Sequence, residues 1–174
     1  MRMRTARWSV ALAAVVLAAG LAGRASAVEN RLGAGANYWH TLNEIKGADG
    51  FDRNGLSWYV SYQCKPVSLL FFDLQLERMP EGFMASDKDV YAPQAYAGVE
   101  VLFVYGALGI GKYFADETDQ VFYAVRAGLD LNLLPFLGLD IYGNYRFGEW
   151  NGIEERKNIN TDTVTVGAAV RFEF

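Results

Sequence analysis

The sequence predicts an all-β protein: an eight-stranded antiparallel up-and-down barrel that spans a membrane, preceded by a cleaved export segment. Three observations carry this reading. After residue 27, apolar and polar residues alternate with period 2 through almost the whole chain, the mark of strands with two unlike faces. The connections between these stretches are by turns tight and long, the plan of up-and-down strands set in a bilayer. No window beyond Ala27 is long and apolar enough for a spanning helix, so any membrane must be crossed by strands.

At the start of the chain, Arg2, Arg4 and Arg7 precede an apolar run from Trp8 to Leu21 that closes on Ala25-Ser26-Ala27. This is the layout of a secretory signal, with cleavage expected after Ala27. The run is short for a permanent span, and Arg24 follows it. Residues 1–27 are therefore expected to be a signal peptide and residues 28–174 the barrel domain. Cleavage removes four arginines and no acid, which turns 16 basic and 20 acidic residues into 12 and 20, a net charge of −8. That balance argues against a nucleic-acid partner, which needs a basic patch. The single cysteine, Cys64, has no partner for an internal disulfide and reads as a small apolar strand residue.

The strands follow in order. Leu32 to Leu42 sets Leu32, Ala34, Ala36 and Tyr38 against Gly33, Gly35, Asn37, Trp39 and Thr41. Leu56 to Cys64 separates Leu56, Trp58, Val60 and Tyr62 from Ser57, Tyr59, Ser61 and Gln63, and Leu69 to Glu77 separates Leu70, Phe72, Leu74 and Leu76 from Asp73, Gln75 and Glu77. Ala95 to Tyr105 places Ala97, Val99, Val101 and Phe103 opposite Gly98 and Glu100. In Leu108 to Phe114, Gly109 and Gly111 blur the phase. Lys112 is expected on the polar face there, because a lysine facing lipid at mid-membrane costs about 2–4 kcal/mol. Val121 to Leu133, Leu137 to Phe147 and the run from Val164 to the end alternate cleanly, which completes eight.

Tight connections are expected around Lys65-Pro66-Val67, Gly106 and Leu134-Pro135-Phe136, and polar loops at Asn43 to Arg53, Met79 to Ala92, Ala115 to Asp119 and Asn151 to Thr161. The rival fold is a soluble, lipocalin-like barrel with its apolar face inside. Lipid-out is favoured by a polar face rich in small residues, with charges of both signs that can pair across a narrow lumen: Asp73, Glu77, Glu100, Asp130, Asp140 and Glu173 beside Lys112, Arg126, Arg146 and Arg171. Aromatics also fall at the strand ends, with Tyr38, Trp58, Tyr123, Tyr145 and Phe147 near the long loops and Phe103, Tyr105, Phe172 and Phe174 near the tight turns. Two such girdles match the two interfaces of a bilayer.

The ending Gly167-Ala-Ala-Val170-Arg-Phe172-Glu-Phe174 resembles the C-terminal signal of bacterial outer-membrane barrels. With the signal peptide and eight strands, the chain resembles the small outer-membrane β-barrel superfamily of the OmpA transmembrane domain and OmpX. The resemblance implies a Gram-negative cell outer membrane, contact with its lipid and lipopolysaccharide, recognition by the barrel-assembly machinery through the strand ending at Phe174, and a monomer. It does not specify activity, since the superfamily holds anchors, adhesion factors and enzymes.

Some such barrels edit lipid A with a His-x-Ser pair. The one histidine, His40, stands in Tyr38-Trp39-His40-Thr41-Leu42, so the second position on is Leu42 and the pair is absent. Ser57 and Ser61 fall on the opposite face by parity, and His40 reads as an interfacial imidazole at the outer rim. The acids Asp49 and Asp52, Asp87 and Asp89, and Asp116, Glu117 and Asp119 lack the spacing of a calcium loop. Gly106 to Gly111 has no following helix to make it a phosphate loop. Arg78, at a strand rim, is placed to meet a lipid phosphate. No catalytic, cofactor or metal residue is assigned. The expected role is a non-enzymatic outer-membrane barrel with structural or surface-interaction duties. A His40-dependent acyl hydrolase and a narrow pore are the alternatives, the pore disfavoured because Trp39, Tyr59, Tyr96, Arg126 and Tyr142 fill an eight-stranded lumen.

Overall fold

The computed structural model describes residues 28–42, 53–83, 86–114, 120–148 and 162–174. The expected signal peptide, and the loop acids Asp49, Asp52, Asp116, Glu117 and Asp119, lie outside these residues. Among the described residues eight strands form: β1 (Glu29–Thr41), β2 (Asn54–Val67), β3 (Leu70–Met79), β4 (Val90–Val101), β5 (Val104–Tyr113), β6 (Gln120–Leu134), β7 (Leu137–Phe147) and β8 (Thr163–Glu173). Each pairs antiparallel with the next, and β8 returns to β1 from Arg31↔Glu173 to Thr41↔Thr163, closing the barrel. Closure satisfies the backbone groups that a free edge would expose to hydrocarbon.

Strand parity is as the sequence predicts for seven of the eight strands. Leu32, Val60, Leu74, Val125, Ile141 and Val170 look outward, while Asn37, Ser61, Asp73, Arg126, Asp140 and Arg171 look inward. β5 is the exception. Tyr105, Ala107 and Tyr113 are buried inside and Leu108 and Ile110 exposed outside, which puts Lys112 on the outward face, contrary to the expectation. The physical reason is depth. Lys112 sits at the long-loop end of β5, where the cost of a lipid-facing lysine falls to about 0–1 kcal/mol, and its ammonium lies 4.8 Å from the ring centre of Phe114.

All three tight connections are two-residue hairpins, closed by Val67↔Leu70, Val101↔Val104 and Leu134↔Leu137. The first turn is Ser68-Leu69 rather than Lys65 to Val67. Lys65 and Pro66 stay within β2 at an irregularity in register, which accommodates a residue without an N–H. The second turn is Leu102-Phe103, not Gly106, and so Tyr105 belongs to the lumen and not to the aromatic girdle. β4 also begins at Val90, inside the segment expected to be loop.

Leu102 is the one non-glycine residue with positive φ among the described residues, at 62°. A positive φ at the first turn position alone suits a II′ hairpin, which prefers glycine there. The leucine side chain is 87% exposed and contributes no packing. Leu102→Gly is therefore expected to stabilise the barrel by about 1 kcal/mol, the ordinary cost of a left-handed non-glycine residue. A rise in the urea midpoint of the refolded protein checks this.

Candidate functional site: the filled lumen and outer rim

The inward residues stack in four tiers, from the tight-turn mouth to the long-loop mouth. At the tight-turn mouth Arg31 donates to Asp130 at 2.7 Å and to Glu173 at 3.1 Å, and the Lys65 ammonium bonds Glu100 at 2.7 Å and Asp130 at 2.9 Å. Arg31, Lys65 and Glu100 line an open concavity of about 410 Å³, with Glu29, Ser68 and Asn132. Lys65 was expected in a turn. The strand instead runs on through it, and by the parity of Ser61 and Gln63 its side chain enters the lumen.

The second tier crosses the barrel. Arg171 on β8 donates to Asp73 on β3 at 3.0 Å and to Asp140 on β7 at 2.7 Å, and Tyr105 donates to the other Asp140 oxygen at 2.7 Å. Arg126 bonds Gln75 at 2.9 Å and lies between two rings, 3.7 Å from the centre of Tyr96 and 4.2 Å from that of Tyr142. Out of bulk water, such cation–π contacts approach or exceed about 2 kcal/mol.

Glu77 is the hub of the third tier. Its carboxylate accepts from Asn37 at 2.7 Å, Gln94 at 2.9 Å, Ser57 and Arg146, so one side chain of β3 is bonded to β1, β2, β4 and β7. A fully enclosed carboxylate is tolerable only with such a complement of donors.

The fourth tier is apolar and closes the long-loop mouth. Phe83, in the β3–β4 connection, folds into the barrel with its ring centre 5.0 Å from Trp39 and 5.2 Å from Tyr113, and Tyr113 stacks on Phe122 at 4.3 Å. Met79, Val90 and Ala92 complete this cap, all fully buried. Sequence reasoning missed Phe83. The available signal was that it is the only aromatic residue between Phe72 and Tyr91, in a segment otherwise read as a polar loop.

His40 is exposed on the outward face, paired in register with Asn54 and Val164. Ser57 and Ser61 are buried on the inward face, and Ser57 is bonded to Glu77. The sheet therefore separates the imidazole from both hydroxyls. Among the described residues, no group of three or more His, Cys, Asp or Glu is placed to hold a metal ion. Asp89 instead pairs with Arg78, through the Nε and Nη2 edge of the guanidinium.

A soluble barrel would bury its apolar face and wet its polar one. Here Asp73, Glu77, Arg126, Arg146 and Arg171 are buried inside while leucines and valines cover the outside. No protein-family model matches the chain, and no curated protein matches it. Among solved structures it is similar to Neisserial surface protein A, with a TM-score of 0.56 and 15% identity over 86% of this chain and 98% of that one. The chain has the fold of a small outer-membrane β-barrel. The N-terminal β-barrel domain of Pseudomonas aeruginosa OprF is also similar, with a TM-score of 0.51 and 10% identity over 85% of this chain and all of that one. At these identities the likeness is one of fold. For this fold, activity has to be argued from the site.

Proposed function

We propose that this chain is a non-enzymatic integral outer-membrane protein, exported by residues 1–27, whose barrel presents its outer loops and rim for structural or surface-interaction roles. The observation that carries the reading is the filled lumen: three polar tiers cross the barrel interior and an apolar cap closes its long-loop end. Side chains bonded across the interior serve the barrel's own stability, which leaves the outer surface for partners. The placement of His40 away from Ser57 and Ser61 supports the absence of a hydrolase.

Planar-bilayer recording tests the pore alternative. The protein is expected to give no discrete conductance steps, and Phe83→Ala is expected to give none either, because the Glu77 and Asp73 tiers still cross the lumen. Regular steps from the native protein would establish a narrow pore. Mass spectrometry of lipid A from cells with and without the protein tests the hydrolase, and an acyl change abolished by His40→Ala would overturn the non-enzymatic reading.

A further inference from the structure

The tight-turn mouth uses up its donors and leaves acceptors over. Four carboxylates there, Glu29, Glu100, Asp130 and Glu173, share the two cations Arg31 and Lys65. Both cations bond Asp130 through the same oxygen, Oδ2. The other, Oδ1, is enclosed without a hydrogen-bond partner among the described residues, on a side chain only 4% exposed. A buried carboxylate oxygen is unfavourable unless something donates to it.

Gly138, inward on β7, shows where that oxygen points. A methyl carbon placed on Gly138 would have as its three nearest neighbours, outside the adjoining residues, Asp130 Oδ1 at 3.5 Å, the Leu131 carbonyl oxygen at 3.7 Å and Asn132 Oδ1 at 3.8 Å. All three are oxygens at ordinary contact distance, so the absent side chain leaves a small nook with acceptors around it. Asn132 belongs both to this nook and to the concavity of about 410 Å³ that it lines. Glu29 and Glu100 line the same concavity, and Leu69, Val101 and Leu102 give it an apolar edge.

A fitting occupant brings donors, positive charge and little bulk. A primary ammonium has three N–H donors and no acceptor. An anion would meet cations already engaged by carboxylates. Among the described residues no group of three or more His, Cys, Asp or Glu is placed to hold a metal ion, which favours an organic cation. We infer that the tight-turn mouth binds a short aliphatic diamine: one ammonium donates to Asp130 Oδ1 and Asn132 Oδ1 in front of Gly138, the methylenes cross the concavity, and the second ammonium meets Glu100. The site needs the closed barrel but not the lipid around it. It lies at the end opposite the outer loops and rim, so its failure would leave the proposed surface role standing.

Calorimetric titration of the refolded protein in nonionic detergent micelles tests this, with diaminopentane as the probe. The native protein is expected to bind the diamine saturably and to ignore pentanediol, which has the same length and no charge. Gly138→Ala fills the nook at contact distances that disturb nothing and is expected to weaken binding about tenfold, the scale of one hydrogen bond to a charged group. Glu100→Gln is expected to weaken it by a similar factor, and heat-dependent migration shows that each variant is folded. Magnesium at the same concentration should not displace the diamine, because the nook selects N–H donors and not charge alone. Absence of saturable binding, equal binding of pentanediol, displacement by magnesium, or an affinity unchanged in folded Gly138→Ala would each overturn the site.

Discussion

Glu77→Ala is expected to lower the unfolding free energy of the barrel by about 3–5 kcal/mol, the scale of breaking a buried ion pair from one side. The carboxylate removed is the shared acceptor of Asn37, Ser57, Gln94 and Arg146. Its loss leaves a guanidinium enclosed without its carboxylate and three polar groups short of a partner. Urea unfolding in vesicles, followed by tryptophan fluorescence, measures the effect. Combining it with Arg146→Met should recover part of the loss, since the double variant no longer encloses an uncompensated charge. A double variant as unstable as the sum of the single ones would refute the pairing.

Leu74→Arg is expected to destabilise the barrel by about 2–4 kcal/mol, the cost of an arginine facing lipid near the midplane. Leu74 lies in the middle of β3, between Tyr62 and Ala95 in register, and is 57% exposed on the outer surface. On a soluble barrel the same change would add one more surface charge and cost within about 0.5 kcal/mol. The size of the loss thus reports which medium touches the outer face. A lowered urea midpoint in vesicles checks it.

Much of this architecture was legible in the sequence because a barrel wall between lipid and a narrow lumen imposes contrast at every second residue. β7 and β8 show it best: Leu139, Ile141, Val166 and Val170 alternate with Asp140, Tyr142, Thr165 and Arg171, and the structure follows that order. The pattern fails where contrast disappears. Along β5, Gly106, Gly109 and Gly111 carry no hydropathy signal, and the adjoining hairpin is Leu102-Phe103, which has none of the usual turn residues. The sequence therefore points to a turn at Gly106 and to the opposite faces for Tyr105 and Lys112. A mid-membrane cost applied to a lipid-facing charge misleads as well, since depth decides it.

The candidate site was legible in part. Asp73, Glu77, Arg126, Arg146 and Arg171 read as inward ions, and the structure pairs them across the lumen. Which ion meets which depends on strand register, and parity alone carries no register. Phe83 was missed because its role arises from a connecting segment folding back into the barrel, where no periodicity applies.

The crossing tier of Arg171, Asp73 and Asp140 has a consequence for how the molecule is made. Arg171 lies on the last strand, 98 residues from Asp73 in the chain, and the two meet only when β8 has joined β1. An unfinished sheet lying in hydrocarbon would expose both ions before either had its counterpart, a state several kcal/mol uphill for each. Within the membrane-barrel reading, insertion strand by strand is therefore expected to be disfavoured by the same residues that hold the finished wall. The productive route keeps the ions wet until the seam is ready to shut, so closure and entry into lipid are expected to be a single slow event.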